Sequence, residues 1–469
     1  MSQKVIKVKQ ALEKENLDFF LEMYNSNFPI IENFFDKNFS LKNNIIKDTY
    51  LSFIHRERAQ NFLIFRKVRK YLISLNLFCF LQSILASLIK NFTYIETMEV
   101  KDKNQRNYLF IKRGEGYLYE KIIAQVKKSN GNVSYTNLNE LSMISKQVKF
   151  KLNRKLVSCC IADFRSIYKV IRQLNKDQRF YFIKLLYKVI LFKRLYKSKS
   201  NFDYLIDSKD NTYLPFQKSL ANLYCIKIIL IQNGGRVNLS HYGYVKCDFF
   251  LGWNSSFFKF VVGDIDCEIF FSIGSTSLSR EIEESTIKEY EQRFSRYDLL
   301  IIEQMSTDLS QVANYLNHKD FLDKILRFKS NNPEVAIGYL LRYDRKKIPS
   351  KLKQFIKDND KILELNSIDK IDRKFCSLAI KKSRVSIAIN SSVRIESFMI
   401  EKIGFTLQPS KPIFDWLSIL VPEKVCLFSD LQTKFEAKLS DSINSIKKDN
   451  NGIFQQNNTI KDIADVLIQ

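Results

Sequence analysis

The feature that most constrains this chain is an alternation of short apolar runs with longer amphipathic stretches, sustained from residue 106 to residue 420. The runs fall at 108–111, 133–135, 202–206, 226–231 and 247–251, and again at 268–273, 297–302, 335–341, 362–365, 385–389 and 404–407. Apolar runs of this length, bounded by turn residues, read as strands buried on both faces. Helical spacing between most of them, as at 309–328, 351–358, 370–382 and 392–402, predicts parallel α/β structure. The series divides near the charged, helical stretch 279–296. The expected fold is therefore two Rossmann-like, doubly wound α/β lobes, at 106–275 and 296–420. A basic, mostly helical region at 1–105 precedes them and a helical tail at 421–469 follows. A chain of 469 residues exceeds what one core usually serves, in agreement with two lobes. No internal repeat of fixed period is present.

Charge is distributed unevenly along this frame. Residues 1–200 hold 38 Lys and Arg against 16 Asp and Glu, a net +22, and the remainder holds 37 against 34, a net +3. The basic first part predicts a polyanionic or anionic-membrane partner for that part alone. A hydrophobic content of 45% with 38 Phe excludes a wholly disordered chain, and 12 Gly with 7 Pro exclude collagen-like architecture. The eight Cys show no CxxC pair, and several lie in apolar runs as small hydrophobes, which fits a reducing compartment. The opening residues contain no sustained apolar core, so the expectation is a cytoplasmic protein, peripheral on the inner face of the membrane where it meets one.

Two segments bear on that membrane expectation. Residues 71–89 are uncharged, but Arg69, Asn76, Ser83, Ser87 and Lys90 fall on one helical stripe, which suits a half-buried or surface helix better than a span. Residues 179–197 have the composition of an interfacial helix, with Lys184 and Lys188 on one face and Lys193 and Lys197 nearly opposite. A packed helix with snorkelling lysines reads equally well there.

Ligands of open α/β sheets collect at the carboxyl ends of the strands, so the loops after the strands carry the candidate chemistry. The run 385–389 leads into Asn390-Ser391-Ser392 and a helix start, where free N–H groups and hydroxyls of Ser391 and Ser392 suit a phosphate. Glu396, one turn on, suits a sugar hydroxyl; simple capping by the same residues explains the pattern as well. Gln232-Asn233-Gly234 after 226–231 allows close approach of a ligand to the backbone, or is an ordinary turn. Arg113-Gly114-Glu115-Gly116 offers Glu115 as a general base, and Gly274-Ser275 offers a phosphate-facing loop. His241, in the loop beyond Gly234, is a further candidate base; the other histidines, His55 and His318, lie far from it in sequence.

Taken together these segments resemble GT-B-type enzymes, the surface-carbohydrate glycosyltransferases and polyol-phosphate transferases related to CDP-glycerol glycerophosphotransferases. The resemblance lies in Gln232-Asn233-Gly234, then Cys247-Asp248-Phe249-Phe250-Leu251-Gly252-Trp253, then Ile273-Gly274-Ser275, and in Asn390–Glu396 with the strand through Phe405. It covers residues 105–420. It implies a nucleotide-sugar donor in the second lobe, with Ser391 and Ser392 on its phosphate and Glu396 on a hydroxyl. A glycan or lipid-linked acceptor would bind the basic first lobe. UDP-sugar epimerases share that fold. Two departures stand out: Asn233 replaces the family's His, and the family's His-Pro motif is absent where the strand ends at Arg342, with Arg345 nearby. Either arginine can stabilise a leaving phosphate in its place.

Two rival readings follow from other residues. Asp264 and Asp266 form a DxD, as do Asp358 and Asp360, and such pairs can hold a divalent metal. With 50 acids in the chain the pattern is cheap, and GT-B catalysis commonly runs without bound metal, so no metal site and no resident cofactor are expected. Nucleic acid is disfavoured by the lack of any RRM, KH, zinc-finger or helix-turn-helix signature. The alternative to an enzyme is a GT-B-like scaffold without activity, or a polyanion-binding protein.

Overall fold

The computed structural model of the protein describes residues 27–58, 80–81, 83–87, 107–112, 132–137, 154–198, 202–207, 214–232, 245–252, 265–274, 284–294, 296–302, 325–341, 368–388, 403–408 and 425–427, with isolated positions 18, 124 and 127. The strands among them are β1 (Asn107–Lys112), β2 (Asn132–Asn137), β3 (Tyr204–Asp207), β4 (Lys227–Ile231), β5 (Lys246–Gly252), β6 (Asp266–Ser272), β7 (Tyr297–Ile302), β8 (Ile337–Leu340), β9 (Asp369–Ile371), β10 (Ser383–Ala388), β11 (Ile403–Gln408) and β12 (Val425–Leu427). They form two six-stranded sheets, in the orders β2-β1-β3-β4-β5-β6 and β12-β11-β10-β7-β8-β9. All ten pairings are parallel. Both orders reverse direction once, in the doubly wound manner, and the second has the order of a full Rossmann sheet. The expected α/β class with two Rossmann-like lobes is the observed one.

The helices of the first lobe are α1 (Phe28–Phe39), α2 (Asn43–Arg58), α3 (Arg154–Gln173), α4 (Lys176–Ser198) and α5 (Pro215–Leu223). α1 carries Pro29 in its first turn and stops at Ser40, whose φ of 55° lets its N–H return to the Asp36 carbonyl at 2.8 Å. The tight turn from α3 to α4 is set by a capping box. Gln178 N–H donates to Asn175 Oδ1 and Asn175 N–H to Gln178 Oε1, each at 2.9 Å. α4 is the central packing element. Phe182, Leu185, Leu186, Val189, Leu195 and Tyr196 are all buried, joined in one core with α1, α2, α5 and one face of the first sheet. Each such side chain contributes roughly 1.5–3 kcal/mol by leaving water.

This corrects the interfacial-helix reading of 179–197. Lys184 and Lys193 of α4 bend over protein rings: Lys184 lies 4.5 Å from the Phe53 ring and Lys193 lies 5.1 Å from the Phe39 ring. Lys193 also donates to the Asn38 carbonyl at 3.3 Å. Among the described residues no helix is long and apolar enough to cross a membrane.

The second lobe holds α6 (Glu284–Arg293), helical residues 325–331 and α7 (Cys376–Lys382). Its core gathers Tyr290, Tyr297, Leu300, Ile302, Leu340, Ile371 and Phe375. Gly338 is required there, because a Cβ would meet Tyr297 Cδ2 and Ile371 Cδ1 at 2.9 Å. Two sequence expectations change in this lobe. The helix expected at 370–382 begins late, since β9 and a 3-10 turn at Arg373–Phe375 occupy its first half. β12 lies within 421–469, where a helical tail was expected, and extends the sheet through Thr406↔Val425 and Leu407↔Cys426. A three-residue strand has too few positions to show period-two patterning, which is why both escaped notice. The run 362–365 and the helices expected at 351–358 and 392–402 lie outside the described residues.

Candidate functional site at the carboxyl edges of the two sheets

Strand order decides which loops meet. In the first sheet the chain leaves β1 for β2 on one side and returns to β3 on the other, so the strand order reverses between β1 and β3, the position at which open α/β sheets bind ligands. Ile111 pairs with Asp207, which brings the end of β1 beside the end of β3. Asp207 is fully buried, a carboxylate at the last position of an otherwise apolar strand. Sequence reading passed over it, although an acid ending an apolar run is the signal that marks it.

Further along the same edge stand three residues from the sequence motifs. Gln232, immediately after β4, is buried, and its N–H donates to the Leu251 carbonyl at 2.9 Å, tying the end of β4 to β5. Gly252 closes β5, where a Cβ would press on the Phe270 ring that stacks on Phe250 at 6.1 Å. Gly274 follows β6 with φ of 79°, a left-handed turn that glycine alone enters without strain. Gln232 and Gly274 thus stand on one edge, with backbone roles of their own. Asn233, Gly234, His241, Glu115 and Ser275 lie outside the described residues.

In the second sheet the reversal lies between β7 and β10. Leu300 pairs with Ser386 and Ile301 with Ile387 on one side, and Ile302 pairs with Leu340 on the other. β10 and β8 therefore flank β7 with their carboxyl ends level. The segment leaving β10 contains Ser391, Ser392 and Glu396, and the segment leaving β8 contains Arg342 and Arg345. These five residues lie outside the described residues, but the strands that precede them, β10 and β8, are described, one on each side of β7. Sequence reading treated the two segments separately; strand order puts the strands that precede them on either side of β7.

The opposite, amino edge of the first sheet holds a dense charge cluster. The Asp248 carboxylate has no exposed surface and accepts from Ile228 N–H at 2.6 Å, from Lys227 Nζ at 3.0 Å and from Lys218 Nζ. Burial opposes its ionisation, but the Lys218 ammonium, the Ile228 N–H and Lys227 outweigh this and hold the carboxyl below its usual range. The same bond to Asp248 raises Lys227. Asp248 thus pins α5, through Lys218, to β4 and β5. Asp266 begins β6 at this edge and pairs with Lys246 at 3.5 Å, so the described half of the DxD lies away from the carboxyl-end crevice. Asp264, Asp358 and Asp360 lie outside the described residues. Among the described residues no group of three or more His, Cys, Asp or Glu side chains is assembled to hold a metal ion.

No protein-family description and no curated protein sequence matches the chain. Several solved structures are similar to it at low identity. UDP-GlcNAc 2-epimerase from Methanocaldococcus jannaschii, in complex with UDP-GlcNAc and UDP, is similar over 77% of this chain and 99% of its own, at 15% identity and a TM-score of 0.47. The Neisseria meningitidis UDP-GlcNAc 2-epimerase is similar over 78% and 99%, at 13% identity and 0.47. A glycosyltransferase from Rickettsia africae is similar over 77% and 98%, at 12% identity and 0.41. The two parallel sheets themselves carry the fold assignment: the chain is an α/β protein of two Rossmann-like lobes, each sheet with one reversal of strand order.

Proposed function

We propose that this chain is a glycosyltransferase of GT-B type, moving a sugar from a nucleotide-sugar donor to a surface-polysaccharide or lipid-linked glycan acceptor. The observation that supports the reading is the flanking of β7 by β8 and β10, whose carboxyl ends lie level at one edge of the second sheet. In this reading Ser391, Ser392 and the N–H groups that follow bind the donor phosphates. Arg342 and Arg345 stabilise charge on the departing nucleotide, and Glu396 accepts from a donor hydroxyl. On the acceptor side Glu115 or Asp207 takes the proton from the attacking hydroxyl as the bond from the sugar's anomeric carbon to phosphate oxygen breaks; His241 is the other candidate base. These groups need no metal for that step.

The test is a thermal-shift series with CMP, CDP, UDP, GDP and dTDP, each with and without Mn²⁺. A ligand at 100 times its dissociation constant stabilises by about 2.7 kcal/mol, well within detection. A selective rise that Ser391→Ala abolishes is the expected result and identifies the donor class. Indifference to every nucleotide overturns the reading and leaves an inactive scaffold of the same fold.

A further inference from the structure

A short helix comprising residues 80, 81 and 83–87 packs on α3 with its polar side inward. Ser83 and Ser87 are buried, and Ser87 Oγ donates to the Cys160 carbonyl at 2.5 Å. Phe80 closes the other end of the contact, with its ring 5.2 Å from Phe164 and 5.6 Å from Tyr168. At about 100° per residue, Leu81 and Leu85 then lie on the side opposite the serines. They are exposed at 52% and 38%, and Ile161, next to Cys160 on α3, at 46%. A helix that buries its serines and exposes its leucines is inverted for water, and an inversion of this kind indicates an apolar neighbour.

The charge around this patch says which neighbour. Arg165, Lys169 and Arg172 are exposed on α3 within one helical face of Ile161. At about 100° per residue Arg165 lies about 40° from Ile161, Arg172 about 20° and Lys169 about 80°. Outward leucines beside guanidinium and ammonium groups have the chemistry of the boundary between acyl chains and anionic headgroups. An apolar protein partner would leave those cations unmatched. A nucleic acid would leave the leucines unmatched.

We propose that this helix and the exposed face of α3 form a docking surface for an anionic lipid bilayer. Leu81, Leu85 and Ile161 enter the acyl boundary, and Arg165, Lys169 and Arg172 meet the headgroup phosphates. The inference rests on these two helices and is independent of the nucleotide-sugar reading. If that reading holds as well, the surface brings the enzyme to lipid-borne acceptors.

The test is cosedimentation of the full chain with vesicles of equimolar phosphatidylcholine and phosphatidylglycerol, against vesicles of phosphatidylcholine alone. The wild type is expected on the anionic vesicles, weakening with salt. The pair Leu81→Asp with Leu85→Asp, and separately Arg165→Gln with Arg172→Gln, are each expected to lower partitioning at least about tenfold. The second pair changes only exposed side chains of α3, so it answers independently if the first disturbs folding. Failure of the wild type to bind, or full binding by both pairs, overturns the proposal. Retention of RNA that the leucine pair leaves unchanged, with vesicle binding absent, assigns the basic face to nucleic acid instead.

Discussion

The Asp248 carboxylate accepts the Ile228 N–H across the β4–β5 seam at 2.6 Å, and that one bond fixes where two lysines must converge. Asp248→Asn keeps an acceptor for Ile228 but leaves Lys218 and Lys227 with only the exposed Glu268 as shared counter-charge. The expected cost near neutral pH is about 2 kcal/mol, below that of a fully buried pair because Lys227 is half exposed. The folded-state value of this carboxyl is lowered, so its contribution is present above the ordinary carboxyl range and is lost as pH falls through the lowered value. Urea titrations should therefore separate wild type and variant at ~pH 7 and bring them together progressively below ~pH 4. An equal gap at both pH values contradicts the assignment.

Tyr290 and Tyr297 make a natural pair of controls. Both are buried; the Tyr297 hydroxyl donates to Asp369 at 3.0 Å, whereas that of Tyr290 has no hydrogen-bond partner among the described residues. Burial pushes the Tyr290 phenol up to about 12, so it is neutral at any working pH and its removal deletes no charge. Tyr290→Phe should leave stability unchanged or raise it by up to about 1 kcal/mol, and Tyr297→Phe should cost about 1 kcal/mol. Melting temperatures in the order Tyr290→Phe at or above wild type, and Tyr297→Phe below it, are expected.

Gly338→Ala tests the packing of β8. Its new methyl group meets Tyr297 and Ile371, both core residues without room to retreat. A loss of about 1–3 kcal/mol is expected in chemical denaturation, the usual cost of overpacking. A neutral result means β7 and β8 are spaced more widely than described.

Asp207 and Ser391 should fail in different ways. Under the proposed function, Asp207→Asn keeps the donor nucleotide's thermal shift but lowers turnover by about a hundredfold or more, as loss of a general base does. Ser391→Ala should remove the nucleotide shift itself. If Asp207→Asn leaves turnover intact, the proton acceptor is Glu115 or His241, and the corresponding single variants then decide between them.

The sequence carried much of this architecture in the runs at 297–302 and 226–231, which correspond to strands β7 and β4. Long apolar runs announce buried strands because only residues covered on both faces can dispense with polar alternation. β9 and β12 were illegible for the converse reason, being three residues each. The serine stripe at 83 and 87 was legible as a stripe, but its direction was not. Amphipathicity states that two faces differ, and packing against α3 decides which one meets the protein.

The same division holds for the site. Sequence alone determined that Ser391, Ser392 and Glu396 follow a buried strand, and that Arg342 and Arg345 follow another, because both facts are local. That those strands flank β7, and that Asp207 ends beside β1 nearly a hundred residues earlier, was decided only by strand order. Strand order is set by how the helices cover both faces of a twisted sheet, a condition on the whole lobe that no single window of sequence contains.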